Sequence, residues 1–176
     1  MATSAKARKR RADGGTKHAS ISQLDAHAPE TLITFRVSVL AQQLSRLVDA
    51  SVREGLGLSS RQWRVLVILK RLGRSTSGEV ARLASFDHSQ VSRVAYELVQ
   101  MGLAVQEDDP ADRRKQLLAL TPAGIETLRK GIPGSIEREK RLRGKLTKTD
   151  YEVFCRVLQV LGDEARTMLT QVKAEK

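Results

Sequence analysis

Four times the chain spells the same helix start: an apolar residue, then a side chain able to cap, then a second apolar residue five positions after the first. The four are Leu58-Ser59 with Trp63, Phe86-Asp87 with Val91, Leu120-Thr121 with Ile125, and Leu146-Thr147 with Tyr151. A serine, threonine or aspartate oxygen accepts from the orphan amides of a first helical turn. The flanking apolar pair clamps the angle at which the chain enters. Gln62 and Gln90 stand three residues after their caps and complete capping boxes. Asp150 gives an acidic variant, and Pro122 occupies the first helical position, where its missing N–H is no loss. Thr76 with Glu79 makes a further box. These signals predict helices at about 59–72, 76–84, 87–101, 121–143 and 147–172. Pro133, between Gly131 and Gly134, is expected to kink or break the helix at 121–143.

Two other patterns complete the chain. From Pro29 onward Leu32, Phe35, Val39 and Leu40 mark one apolar stripe, and Ile33, Val37, Leu44, Leu47 and Val48 a second. A helix apolar on two sides can pack on its own domain and on a partner subunit. Gly55 and Gly57 are expected to stop it. Between Gly102 and Thr121 the period changes: residues 103–105 and 116–120 are short strand candidates flanking a charged, proline-containing loop at 107–115. The fold class is mainly α with a small β hairpin.

Charge and composition narrow the function. The formal net charge is +11, which favours a polyanionic partner, nucleic acid first. Residues 1–17 hold six cations (Lys6, Arg8, Lys9, Arg10, Arg11 and Lys17) against Asp13, and the remainder is still positive. The single cysteine, Cys155, excludes an internal disulfide framework and a thiolate zinc cage. His18, His27 and His88 lack metal-ligand spacing, so neither metal nor cofactor is expected. No apolar run approaches the ~18 residues of a membrane span, and no signal-peptide core follows Met1. A cytoplasmic location without a membrane partner is expected. No phosphate-binding glycine loop, serine nucleophile elbow or paired-histidine motif is present, so the chain does not read as an enzyme.

Residues 75–120 combine a short helix, a tight Ser85-Phe86 turn, a second helix and a charged hairpin. That is a winged helix-turn-helix, whose second helix fits the major groove of double-stranded DNA and presents its first residues to base edges. Val91, Val94, Ala95 and Leu98 form its inward face. The candidate DNA contacts are then Thr76, His88, Ser89, Gln90, Ser92 and Arg93, with Tyr96 also outward, and the wing cations Arg113, Arg114 and Lys115. Glutamine pairs with adenine and arginine with guanine. Serine hydroxyls suit phosphate, and a wing arginine suits a narrow minor groove. Asp112 is placed to orient a wing arginine.

Four stretches carry a family resemblance: LSSRQWRVL at 58–66, GEVARL at 78–83, QVSR at 90–93 with LVQMGL at 98–103, and DRR at 112–114 with LTPAG at 120–124. In order and spacing they resemble the MarR family of bacterial regulators over about residues 30–170. The resemblance implies a homodimeric transcription regulator, a repressor on a pseudo-palindromic operator. Residues 1–22, basic and poor in apolar residues, read as a disordered arm outside the resemblance, and the rest divides into an N-terminal dimerisation helix (23–58), the winged helix-turn-helix (59–120) and C-terminal dimerisation helices (121–176). A helical stripe of Tyr151, Phe154, Leu158, Leu161, Ala165, Met168 and Leu169 agrees with dimerisation. The resemblance also implies release by a small effector, often aromatic or phenolic, held between the dimerisation and DNA-binding parts. Arg36, Gln43 and Trp63 are the candidate ligand residues; core packing for Trp63 and a surface ion pair for Arg36 are the competing readings. Some relatives sense oxidants through an N-terminal cysteine, whereas Cys155 lies beside the apolar stripe of the last helix and is expected to be a buried structural thiol. An architectural or weakly specific DNA binder without an effector is the alternative function.

The arm supplies a first test. Deleting residues 1–17 should weaken binding to operator and random DNA alike. It should also flatten the dependence of log K on log salt by up to ~0.9 for each phosphate that the arm neutralises. An unchanged slope, measured by fluorescence anisotropy over a salt series, would leave the arm no part in binding.

Overall fold

The structure, a computed structural model, describes residues 28–112 and 114–175. The arm at 1–22 and the wing residue Arg113 lie outside the described residues. A short 3-10 turn at Pro29–Thr31 precedes α1 (Ile33–Leu56) and α2 (Ser60–Leu72). Then come β1 (Ser75–Thr76), α3 (Ser77–Ala84), α4 (His88–Gln100), β2 (Ala104–Asp108), β3 (Gln116–Leu120), α5 (Pro122–Arg143) and α6 (Lys148–Ala174). The chain divides into an N-terminal unit ending at Leu44 and a larger unit from Ser45, and α1 runs through the boundary.

Every cap expected from the sequence is in place. Ser59, Thr76, Asp87 and Thr147 close full boxes with Gln62, Glu79, Gln90 and Asp150. Thr121 accepts from the Gly124 amide at 3.0 Å. Helix starts are therefore where local chemistry puts them, because a cap spans only three residues. α1 continues through Gly55 and ends at Leu56, where Gly57 turns into the left-handed region with φ +67°. Pro133 does not break α5, which is a single helix from Pro122 to Arg143. Proline removes one hydrogen bond, to the Arg129 carbonyl. Both residues are exposed, so water can take the freed oxygen.

In the larger unit, α2, α3 and α4 enclose a core of Leu58, Val65, Leu66, Leu69, Val80, Val91, Leu98 and Leu118, all essentially without solvent contact. A three-stranded antiparallel sheet in the order β1-β3-β2 closes one side. The hairpin β2–β3 pairs Ala104 with Leu120 through to Asp108 with Gln116. Two features differ from the expectation. β2 runs on to Asp108, shortening the wing tip to residues 109–115, and Glu107 forms an ion pair with Arg74. β1, a two-residue strand too short to show alternation, pairs Ser75 with Leu118. It fastens the start of α3 to the wing.

Glycines govern the packing of α5. A Cβ on Gly131 would overlap the ring of Trp63 and a methyl of Leu56. A Cβ on Gly124 would strike the backbone carbonyl of Leu103, which accepts from the Thr121 amide at 3.2 Å. α6, by contrast, has no buried residue. Cys155 is accordingly exposed, not the buried thiol expected, because nothing among the described residues covers its stripe. No helix among the described residues is long and apolar enough to cross a membrane.

Gly124→Ala should destabilise the protein by about 1–3 kcal/mol, the usual cost of overpacking against atoms that cannot move aside. Gly134→Ala in the same helix meets only the flexible Arg138 guanidinium at 3.7 Å. It should be neutral or stabilising by up to ~1 kcal/mol. Urea unfolding of the two variants checks the contrast.

Candidate nucleic-acid interface

The turn between α3 and α4 is held from both sides. Ser85 adopts the left-handed conformation at φ 54°, and the Phe86 amide donates to the Ala81 carbonyl at 3.1 Å. The Arg64 guanidinium lies 5.3 Å from the centre of the Phe86 ring, a cation–π contact that pins the turn to α2. α4 therefore leaves the turn in a fixed direction. Val91, Val94, Ala95 and Leu98 are buried against the core, while His88, Ser89, Ser92, Arg93 and Tyr96 are exposed.

The polar groups on the exposed face differ in their commitments. Ser89 Oγ donates to Asp87 Oδ1 at 2.7 Å, and Ser92 Oγ donates to the His88 carbonyl at 2.9 Å. Gln90, half-buried, uses its Oε1 to accept from the Asp87 amide at 3.2 Å. Thr76 closes the box of α3: its hydroxyl donates to Glu79 Oε2 at 2.8 Å and accepts from the Glu79 amide at 3.3 Å. Arg93 is exposed and makes no ion pair among the described residues. The Ser89 hydroxyl and then the Gln90 amide hold the Asp87 carboxyl below its usual range. Glu79 is lowered in the same way, first by the Thr76 amide and then by its hydroxyl.

At the wing tip the Asp109 amide donates to the Lys115 carbonyl at 2.9 Å, and the Lys115 amide donates to the Asp112 carbonyl at 2.8 Å. Asp112 Oδ1 accepts from the Arg114 amide at 3.2 Å and from Arg114 Nε at 3.3 Å; Lys115 Nζ is 3.5 Å from Oδ2. Arg114 keeps 93% of its side-chain surface in solvent. Its base is thus fixed and its guanidinium is presented outward.

The expected ligand residues fall in different units. Trp63 is 6% exposed and belongs to the core. Arg36 and Gln43, both exposed, lie in the N-terminal unit, and Arg36 Nε donates to the Glu30 carbonyl at 2.7 Å. The open space in the larger unit is a cleft of about 630 Å³ between the end of α1, the start of α2 and the flank of α4. Its charged walls are Asp49, Arg53, Arg61, Arg93 and Glu97. Gln62 Nε2 donates to Glu97 Oε2 at 2.8 Å across it, and Asp49 accepts from the Ser60 amide. The sequence held one signal of this cleft. Ser45, Asp49 and Arg53, and again Arg93 and Glu97, recur at intervals of four, which aligns them on one helix face. Among the described residues no three His, Cys, Asp or Glu groups are gathered as a metal would require.

The sequence model of the MarR family matches residues 56–115, from the last residue of α1 to the wing tip. Over these residues, its winged helix-turn-helix, the chain is similar to the MarR family. The matched residues cover the elements whose geometry resembles that of DNA-binding transcription regulators of that family. The HTH-type transcriptional repressor IacR of Pseudomonas putida is 25% identical over 113 residues, 64% of this chain and 68% of that protein. The MarR regulator Sco3205 of Streptomyces coelicolor, solved with DNA, shares the fold at a TM-score of 0.72 and 24% identity, over 79% of this chain and 92% of that one. CouR of Rhodococcus jostii, solved with p-coumaroyl-CoA, superposes at a TM-score of 0.67 and 25% identity, over 76% and 94% of the two chains.

The wing supplies a pH test. The Arg114 amide, and next its guanidinium, lower the Asp112 carboxyl below 3.8. A depressed carboxylate adds stability above its unfolded value and loses it as pH falls through the folded value. Asp112→Asn should therefore lower the thermal midpoint by a degree or two, evenly across about pH 5–8. The gap to wild type should close as the pH falls through the lowered folded value, as followed by circular dichroism melts.

Proposed function

We propose that this chain is a homodimeric repressor that reads a pseudo-palindromic operator through α4 and the wing and is released by a small effector. The observation that carries the reading is Arg93: an exposed guanidinium, without an ion-pair partner among the described residues, on the first half of a helix whose opposite face is locked into the core. Arginine there reaches guanine O6 and N7 in the major groove. Ser89, Gln90 and Ser92 must swing their polar groups away from the helix start to reach DNA, so Arg93 takes the larger share of base recognition. Thr76 and His88 flank the same surface for phosphate contact. Arg114, with Arg113 and Lys115 beside it in sequence, approaches the minor groove.

Dimerisation rests on the apolar surface. α6 exposes Phe154, Val157, Leu158, Met168 and Leu169, and α5 exposes Ile132 and Ile136. A soluble monomer rarely leaves so many large apolar side chains of two helices in water. A second copy of the chain would cover it, with residues 23–58 and 121–176 as the dimerisation parts and 59–120 as the DNA-binding part. Two-fold symmetry then sets half-sites about one helical turn apart. The repressor IacR and the ligand-bound CouR support repression and effector response.

Arg93→Ala should weaken operator binding by about 1–3 kcal/mol and relax preference at one or two positions in each half-site. Arg114→Ala should cost affinity while leaving the preferred sequence nearly unchanged. Binding to a library of operator variants measures both. Sedimentation should give twice the 19.5 kDa chain mass, and Phe154→Glu with Leu158→Glu should yield monomer. An Arg93→Ala protein with unaltered affinity and sequence preference would remove α4 as the reading element.

A further inference from the structure

We propose that the cleft between α1, α2 and α4 binds a small hydroxylated anion, a sugar acid or sugar phosphate, and that this occupant withdraws Arg93 from DNA. The second half of the proposal rests on the reading of α4 as the DNA-reading helix. At about 630 Å³ the cleft is large enough for such a molecule.

The lining chooses the ligand class. Val94 is the one apolar side chain among the lining residues, and no aromatic ring contributes a wall. The cleft therefore does not suit the phenolic effector that the family resemblance implies. Arg53, Arg61 and Arg93 are exposed, and none has an ion-pair partner among the described residues. Three guanidinium groups against two carboxylates leave the lining net positive, which favours a carboxylate or phosphate held through charge-assisted and bidentate hydrogen bonds. Two acids stand among them. Asp49 accepts the Ser60 amide and Glu97 accepts the Gln62 amide group, each through one oxygen. A carboxylate accepts at both oxygens and donates nothing, so Asp49 and Glu97 each keep an oxygen that suits a ligand bringing O–H donors. The hydroxyls of Ser45 and Ser60, 3.4 Å apart, add adaptable partners on the same side. A bare aliphatic acid would meet the two carboxylates without donors, and a neutral sugar would leave the arginines without an anion. A molecule carrying both groups satisfies the whole lining.

The same residues define the regulatory step. Gln90 and Arg93 belong both to the exposed face of α4 and to the cleft wall. An anion held by Arg93 inside the cleft occupies the guanidinium fork that a guanine edge would need. Ligand and operator then compete for one side chain, with no domain movement required.

The test titrates the full-length protein, without DNA, by calorimetry with gluconate and glucose 6-phosphate, and with glucose and butyrate as controls. At least one hydroxylated anion should bind with submillimolar Kd, and both controls should bind at least ~10-fold more weakly. Arg53 and Arg61 stand on α1 and α2, not on the proposed reading helix α4. Arg53→Ala and Arg61→Ala should each weaken anion binding by ~10-fold or more while keeping the wild-type melting profile and operator affinity within about threefold. Saturating anion should raise the operator Kd of the wild type at least ~10-fold and that of Arg61→Ala far less. Failure of both anions to bind, equal binding of glucose, or indifference to both substitutions would overturn the site. Loss of operator affinity in Arg61→Ala itself would assign the cleft to a backbone phosphate, and the proposal would fall. If an unrelated compound releases operator equally from wild type and both variants, the cleft assignment falls and the effector-responsive repressor stands. If no operator binds at all, the repressor reading falls, and the DNA-free titration still decides the cleft.

Discussion

Burial of one face of α4 is the constraint from which the rest follows. Val91 and Leu98 have no solvent contact, and Val94 and Ala95 have almost none. Rotating the helix by one residue's worth of arc would move these side chains into water, at roughly 1.5–3 kcal/mol for each large apolar group exposed. The helix is thus fixed in azimuth, and its outward residues are fixed with it. The Ser85-Phe86 turn sets its direction, and the Asp87 box sets where it starts. A side chain on such a helix needs no reorganisation of the backbone to meet a groove. That is the condition under which three or four residues can carry sequence preference.

Polar commitment then sorts the outward residues. Serine and glutamine near the helix start serve the helix first, because their groups lie within reach of orphan backbone donors and acceptors. Arg93 is too long and too late in the helix for that duty. The same division recurs at the wing, where Asp112 holds the base of Arg114 and leaves its guanidinium in solvent. In both places a short carboxylate organises the backbone, and an arginine projects from the organised element.

Apolar surface is the second constraint. The larger unit fills its core with α2, α3, α4 and the sheet, while α6 buries none of its 27 residues. An amphipathic helix of that length gains little from its own propensity and depends on packing. The winged part is therefore complete in one chain, and the terminal helices are not. This asymmetry is what the proposed dimer would use, since reading elements must keep their shape while a second copy sets their spacing.

What the sequence determined by itself was local. The starts of α2 to α6 were legible because each cap acts over three residues, and the inward face of α4 was legible because its apolar period was undisturbed. The wing was legible as a hairpin for the same reason, and Arg93 and Arg114 were legible as arginines on those two elements. The tertiary structure decided whatever depends on residues distant in the chain. β1 exists only because Leu118 returns beside Ser75. Trp63 is a core residue because Gly131 leaves room for its ring, and Gly124 is glycine because the Leu103 carbonyl crosses it. The cleft needs α1, α2 and α4 to converge. A spacing of four aligned Asp49 with Arg53 and Arg93 with Glu97, yet nothing in the sequence joined those pairs to each other or to Arg61. Cys155 lies beside the apolar stripe expected of it, yet it is exposed. Periodicity fixes which residues share a face, and only the arrangement of other elements fixes whether anything covers that face.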